Sequence, residues 1–217
     1  MSNSKPTFIE ALMAFNRKER FHVVGFALGN PKFSIDEDCR RRLEDKLRLS
    51  IPDGAVAAMD YHLDWIYFAL YCAKHGYPRD KVEKDAALVT GTLEDVDLLI
   101  AFPDGADTHL VFIEAKGATG FTNKQLQSKA DRLCALFGPH GSDWSGVTPH
   151  FMLMSPKRPK RLKCEKWPAW MQPNDGHPIW LELPFGTEAP GGLRQAVRCN
   201  DAGAPSDTGR YWALKKK

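Results

Sequence analysis

The sequence predicts an α/β fold in which a central mixed β-sheet is flanked by helices. Segments with the period of an amphipathic helix alternate with short apolar segments bounded by glycine and proline. Two neighbouring apolar segments are joined by a turn-rich loop, which indicates a hairpin in the middle of the chain. A chain of 217 residues with 43% hydrophobic and 26% charged residues has the size and composition of a single folded domain.

Residues 1–54 are expected to form a mainly helical N-terminal extension. Thr7 precedes a stretch with helical period, and residues 21–28 are interpreted as a strand. A second, heavily charged helix is expected to begin at Ser34 or Asp36 and to continue to Leu49.

The predicted core, residues 55–155, begins with a long helix. The stretch 55–74 is apolar on nearly all sides and is followed by Gly76, so we expect a buried helix that stops there. Asp60 and Asp64 are four residues apart and would share one face of this helix. They would either line a cleft or mark the one solvated edge.

Three strands are expected next, with the bounds 86–90, 95–102 and 109–116. The loop between the last two is rich in turn-forming residues, so these strands should form an antiparallel hairpin. A helix is expected from Thr122, where Thr-x-x-Gln with Gln125 matches a capping box. Residues 147–154 and 179–183 are interpreted as further strands.

Residues 156–217 are assigned to a basic loop and a C-terminal extension with strands. The net charge of the chain is only +3, but residues 155–167 contain six basic residues and one acidic residue. These cations could neutralise phosphates and release counterions; a solvated loop is the alternative. The basic residues are Lys157, Arg158, Lys160, Arg161, Lys163 and Lys166.

The cysteines and the hydropathy narrow the class of protein. The five cysteines stand singly, which predicts reduced thiols and no disulfide framework. Cys72 and His75 have a spacing seen in zinc sites, but helix packing accounts for Cys72 better. No stretch predicts a membrane span or a signal peptide, so we expect a cytoplasmic protein with no membrane partner.

Charged residues interrupt the apolar pattern of both hairpin strands at the ends that lie away from the loop. Glu114 and Lys116 fall on one face of an otherwise apolar strand, because side chains repeat every two residues. If Phe102 and His109 flank the loop, opposed residue numbers sum to 211, so Asp97 lies opposite Glu114. The same register places Asp95 opposite Lys116.

Two facing carboxylates repel unless a positive charge lies between them. A divalent cation with hard oxygen ligands, Mg²⁺ or Mn²⁺, would remove the repulsion and leave room for water and phosphate. Cross-strand salt bridges that use Lys116 are the alternative reading of the same residues.

The segments Val96-Asp97-Leu98-Leu99-Ile100 and Ile113-Glu114-Ala115-Lys116-Gly117 resemble the Asp…Glu-x-Lys core of the PD-(D/E)XK nuclease superfamily. The resemblance covers about residues 55–137 and implies a restriction-endonuclease-like core, with one helix before the hairpin and another after it. Val96 stands where many members have proline.

The resemblance implies a role for each of these residues. Asp97 and Glu114 would ligate Mg²⁺, which Mn²⁺ can replace, with the Ala115 carbonyl as a further ligand. Lys116 would position or help to deprotonate the attacking water.

The superfamily also implies accessory residues. It often supplies an acid from the first core helix, here Asp60 or Asp64, although a solvent-facing acid is the alternative. Gln125 would belong to a polar helix face beside the metal, or would serve only the cap. Contacts to nucleic acid are expected from Lys124, Lys129, Lys157, Arg158, Lys160, Arg161 and Lys163.

The leading hypothesis is a magnesium-dependent DNA endonuclease or exonuclease of restriction, repair or defence, and a homodimer would suit double-strand cutting. The alternative is a catalytically silent nucleic-acid-binding protein on the same fold. A small-molecule hydrolase with a nucleophilic serine is disfavoured, because the chain has no Gly-x-Ser-x-Gly motif.

Overall fold

The computed structural model describes residues 5–15, 19–30, 33–83, 88–89, 91, 94–117, 120–183 and 194–216. The helices are α1 (Phe8–Ala14), α2 (Glu19–Ala27), α3 (Glu37–Leu47), α4 (Leu63–His75) and α5 (Asn123–Phe137). The strands are β1 (Val56–His62), β2 (Asp95–Asp104), β3 (Asp107–Ala115), β4 (Val147–Ser155), β5 (Ile179–Glu182), β6 (Arg194–Cys199) and β7 (Tyr211–Lys216). A 3₁₀ turn covers Ala169–Met171.

The centre of the fold is a five-stranded mixed sheet with the order β1-β2-β3-β4-β5. The pairs β1–β2 and β2–β3 are antiparallel, whereas the pairs β3–β4 and β4–β5 are parallel. Strands β6 and β7 form a separate antiparallel pair. The predicted fold class, a mixed sheet with flanking helices, is confirmed at this level.

Side-chain caps begin three of the helices. The Thr7 hydroxyl accepts from the backbone N–H of Glu10, whose carboxylate accepts in return from the N–H of Thr7. Asp36 caps α3, and Thr122 caps α5 by accepting from the N–H of Gln125. These contacts satisfy N–H groups that have no partner within the helix, so the helix starts predicted at Thr7, Asp36 and Thr122 are confirmed.

The predicted strand at residues 21–28 is wrong, because this segment lies in α2. Val23, Val24 and Phe26 are 60%, 49% and 75% exposed. A short apolar segment has no period that separates a strand from a helix, and α2 occupies no place in either sheet.

The predicted long helix at residues 55–74 is half wrong. Its first part is β1, which pairs with β2, and only the second part is the helix α4. A segment that is apolar on all sides fits a strand with both faces covered as well as it fits a buried helix. Asp60 and Asp64 therefore share no helical face. Of the predicted strand 86–90, only residues 88–89 lie within the described residues, and neither is in a strand.

The two faces of the sheet pack against different helices. Leu99, Phe112 and Phe151 belong to the cluster that includes residues of α1, α4 and α5. Ile100 and Val111 point to the other face, in the cluster that includes residues of α3. Alternation along each strand sends neighbouring residues to opposite sides, which explains why the central strands are apolar at nearly every position.

The five cysteines are free thiols, as expected. Cys72 belongs to α4 and is fully buried in the core that this helix covers, as the helix-packing interpretation expects. Within the described part of the chain, no helix is long and apolar enough to cross a membrane.

A pair of histidines closes the hairpin end of the sheet. His109 Nδ1 lies 2.9 Å from His150 Nε2, and His109 Nε2 lies 3.5 Å from the Asp104 carboxylate. Burial, with a smaller contribution from His109, lowers the pKa of His150 from 6.5 to about 4. His150 is therefore neutral in the folded protein at pH values where the unfolded chain binds a proton.

We predict that the free energy of unfolding falls as the pH is lowered from about 6.5 to about 4. Only the unfolded state binds the His150 proton in that interval, so acid favours unfolding by about 3 kcal/mol in all. Urea unfolding of the wild type and of His150→Gln across this range measures the effect, and the variant should show the smaller decline. His140→Gln, at an exposed histidine, is the control. Equal declines in His150→Gln and wild type would contradict the prediction.

Candidate functional site

The hairpin pairing ends immediately before the two predicted acids. β2 and β3 are paired from Asp104 and Asp107 to Leu98 and Ile113, and opposed residue numbers sum to 211 as predicted. Asp97 and Glu114 would be the next pair in this register, but the ladder does not continue to them. The two acids therefore lie at the open end of the hairpin, where the strands separate.

The Asp97 carboxylate bridges the two strands at this point. Its Oδ2 accepts a hydrogen bond of 2.7 Å from the backbone N–H of Ala115. This side-chain contact replaces the backbone pairing that ends at Leu98, so it satisfies an N–H group of β3 and holds Asp97 beside Glu114.

The Glu114 carboxylate is almost fully buried, with 1% of the residue exposed. Its Oε1 lies 2.5 Å from the ammonium Nζ of Lys129, which comes from α5 and is itself buried. The same ammonium donates to the backbone carbonyl of Asp95 on β2. A buried carboxylate needs a positive or hydrogen-bonding partner, and α5 supplies it here.

Burial and three charged neighbours set the electrostatics of Glu114. Burial raises the pKa of Glu114 most, and the negative charge of Asp97 raises it further. The ammonium groups of Lys129 and Lys116 act in the opposite direction. Asp97, Lys116 and Lys129 therefore all lie within electrostatic reach of the Glu114 carboxylate.

Lys116 lies one residue beyond the end of β3 and is partly exposed. Its backbone N–H donates to the carbonyl of Met154 at 2.9 Å, which keeps this residue aligned with β4. Asp95 does not lie opposite Lys116 in a strand pair, because the β2–β3 ladder has already ended. It pairs instead with His62 of β1, whose Nδ1 lies 2.6 Å from the Asp95 carboxylate.

The acid expected from the first core helix is engaged elsewhere. Asp64 forms an ion pair with Arg132 of α5 and accepts from the N–H of Gly91. Asp60 lies in β1 and has a positive φ of 48°, at the position where the β1–β2 register would place it opposite Asp97. Among the described residues, no three His, Cys, Asp or Glu side chains converge as a metal-binding group.

The predicted polar residues of α5 divide between the surface and the interior. Gln125 and Lys124 are exposed at the start of the helix. Lys129 was expected to contact nucleic acid. It is only 4% exposed and pairs with Glu114, so it lies inside the protein and not on a surface that nucleic acid would contact. The reason is its position: Lys129 lies on the same helical stripe as the buried residues Leu126 and Leu133, three and four residues away.

The basic segment, residues 155–167, runs beside the start of α5. Asn123, the first residue of α5, forms two hydrogen bonds to the segment. Its amide donates to the carbonyl of Arg161, and its Oδ1 accepts from the N–H of Lys163 at 2.8 Å. The predicted phosphate-binding side chains in this segment are all exposed; they are Lys157, Arg158, Lys160, Arg161 and Lys163.

Sequence reasoning missed the partners that α5 supplies. Lys129 and Arg132 are both buried, and they pair with Glu114 and Asp64. A signal was present, because a lysine on the apolar stripe of a helix is costly to bury unless an acid meets it. The stripe did not indicate which acid, since Glu114 and Asp64 lie far from α5 along the chain.

Comparison of the chain with models of known protein families, with curated proteins and with solved structures gives no match. The functional assignment therefore depends on the geometry of the chain itself.

The donor set at the open end of the hairpin suits a hard divalent cation. Oδ1 of Asp97 and Oε2 of Glu114 take no part in the contacts to Ala115 and Lys129 described above. Mg²⁺ is commonly held by one or two carboxylates and completes its octahedron with water and phosphate oxygens. Two carboxylates match the number that Mg²⁺ commonly takes from a protein, and among the described residues no group of three or more His, Cys, Asp or Glu side chains forms a closed cage.

We predict that Lys129→Met lowers the free energy of unfolding by about 3 to 5 kcal/mol, because Glu114 would be left as an uncompensated buried charge. The double variant Glu114→Gln/Lys129→Met removes both charges and should recover most of that loss. Urea unfolding of the two single variants and the double variant measures the coupling. Lys124→Met, at an exposed position on the same helix, should change stability by about 0.5 kcal/mol or less. Additive single effects would show that the pair is not coupled.

Proposed function

We propose that this protein is a metal-dependent nuclease that hydrolyses DNA phosphodiester bonds. The observation that carries the proposal is the open end of the β2–β3 hairpin, where Asp97 and Glu114 lie together and Lys116 follows directly after β3. The helices α4 and α5 precede and follow this hairpin in the chain, which is the order that the PD-(D/E)XK resemblance implies.

Asp97 and Glu114 would hold Mg²⁺, with the Ala115 carbonyl as a further ligand. When bound, the ion would lower the pKa of a coordinated water and neutralise charge on the phosphate. Lys116, two residues after Glu114 in the chain and partly exposed, would orient the water and stabilise the negative charge that develops on the phosphate oxygens.

The charge of the site supports a phosphate substrate. Asp97 and Glu114 are balanced by Lys116 and Lys129, so the group is close to neutral without a metal. A divalent cation would therefore leave an excess of positive charge, and the exposed cations of the basic segment add to the attraction for a polyanion.

We predict that the purified protein cuts DNA with Mg²⁺ or Mn²⁺ and does not cut it with EDTA. Linear, circular and single-stranded DNA are the substrates to compare. Asp97→Asn, Glu114→Gln and Lys116→Met should each lower the rate by about 100-fold or more, since each removes a metal ligand or a charge at the reacting phosphate.

The control for these variants is Glu83→Gln, which removes an exposed acid outside the site and should cut at the wild-type rate. Circular dichroism melts would establish that each variant is folded. Cutting that persists in folded Glu114→Gln would refute the assignment of the site.

A second candidate is a nucleic-acid-binding protein without catalytic activity. The observation in its favour is the Lys129 ammonium, which already compensates the buried Glu114 carboxylate without a metal. Binding of DNA that is the same in Mg²⁺ and in EDTA, with no product formed in either, would support this candidate over the nuclease.

We predict that Lys160→Gln/Arg161→Gln weakens binding to duplex DNA and makes it less sensitive to salt. Two fewer phosphate contacts should reduce the slope of log K against log salt concentration by about 1.8. Fluorescence anisotropy between roughly 50 and 200 mM salt measures the slope. Lys46→Gln/Arg48→Gln, at the C-terminal end of the charged α3, is the matched control. An unchanged salt slope in Lys160→Gln/Arg161→Gln would show that the basic segment is not part of the interface with DNA.

A further inference from the structure

A groove lies between the basic segment and the edge strand β5. Its volume is about 440 Å³, within the range of about 300 to 1,000 Å³ that small-ligand pockets occupy. Cations, an aromatic ring and proline rings line it together; these residues are Arg158, Lys160, His177, Trp180, Pro159 and Pro178.

Strand register relates this groove to the candidate site. Glu114 on β3 is paired with Leu153 on β4, and Leu153 is paired with Trp180 on β5. Residues paired across adjacent strands project from the same face of a sheet, so Trp180 shares the face of Glu114. Two strand spacings separate their backbones, a distance of about 10 Å.

The Trp180 ring is held in place at its polar edge. Its Nε1 donates to the Ser155 hydroxyl at 3.0 Å, and that hydroxyl donates to the carbonyl of Lys157 at 2.9 Å. The same short chain of hydrogen bonds therefore orients the ring and the first cations of the basic segment. Asn123 anchors the far part of the segment through Arg161 and Lys163.

We infer that this groove binds an unpaired nucleotide of a DNA strand, with the base stacked on Trp180 and its phosphates on Arg158 and Lys160. The inference rests on the proposed function for the identity of the polymer. Single-strand binding sites combine a cationic track with aromatic rings on which bases stack. A base inside a duplex is already stacked on its neighbours, so the groove selects single-stranded DNA or an unpaired end.

The test measures binding in EDTA, where no cutting occurs. The probes are a fluorescent thymidine oligonucleotide of about 12 nucleotides and a blunt two-stranded DNA duplex with the same label. Trp180→Leu removes the ring and should weaken binding to the oligonucleotide roughly 5-fold or more, with little change in the affinity for the duplex. Trp180→Phe keeps a stacking ring but loses the donor to Ser155, so it should retain most of the affinity.

A photocrosslink makes the test independent of how the variants fold. An oligonucleotide carrying one 5-iododeoxyuridine should crosslink to the wild-type peptide that contains Trp180. Crosslinking to another peptide would overturn the inference. An equal loss of affinity for both probes in folded Trp180→Leu would also overturn it.

The two proposals fail in different ways. If DNA is never cut but the affinity for the oligonucleotide still depends on Trp180, the nuclease proposal is wrong and the assignment of the groove is supported. If DNA is cut but neither the affinity nor the crosslink involves Trp180, the assignment of the groove is wrong and the nuclease proposal is supported.

Discussion

The buried ion pair between Glu114 and Lys129 links the central sheet to α5. Each charge would be costly to bury alone, so the side chain from the helix and the side chain from the strand must meet. The Lys129 ammonium also contacts the carbonyl of Asp95, which brings β2 into the same contact. One amine thus fixes the helix against two strands at the point where those strands separate.

The separation of β2 and β3 creates the candidate site. Up to Leu98 and Ile113 the backbone groups pair with one another, and both strands are covered by apolar side chains. Beyond that pair, the Asp97 carboxylate takes over the N–H of Ala115, and charged side chains occupy the space. The site is therefore the end of the apolar core, where polar atoms replace backbone pairing.

The mixed topology of the sheet extends this site to one side. Because β3, β4 and β5 are parallel, their registers carry one row of side chains from Glu114 through Leu153 to Trp180. The basic segment leaves the end of β4 and is tied to both Ser155 and Asn123. The segment that carries the exposed cations is therefore attached both to the end of β4 and to α5, the helix that meets Glu114.

The sequence by itself determined the local features of this fold. Helix caps at Thr7 and Thr122 and the hairpin register followed from neighbouring residues, because caps, turns and alternation depend on contacts within a few positions. It also determined which acids meet at the hairpin end, since the register is counted from the loop. It did not separate β1 from a helix, because an apolar segment without alternation fits either structure.

Only the tertiary structure decided the partners of those acids. Lys129 joins Glu114, and Arg132 joins Asp64, across long stretches of chain that no local pattern connects. The place of Trp180 beside the basic segment likewise depends on two parallel strand pairings, which bring together residues far apart in sequence. The physical reason is common to all three: burial demands that a charge or ring find a partner, but the packing of helix on sheet selects which one.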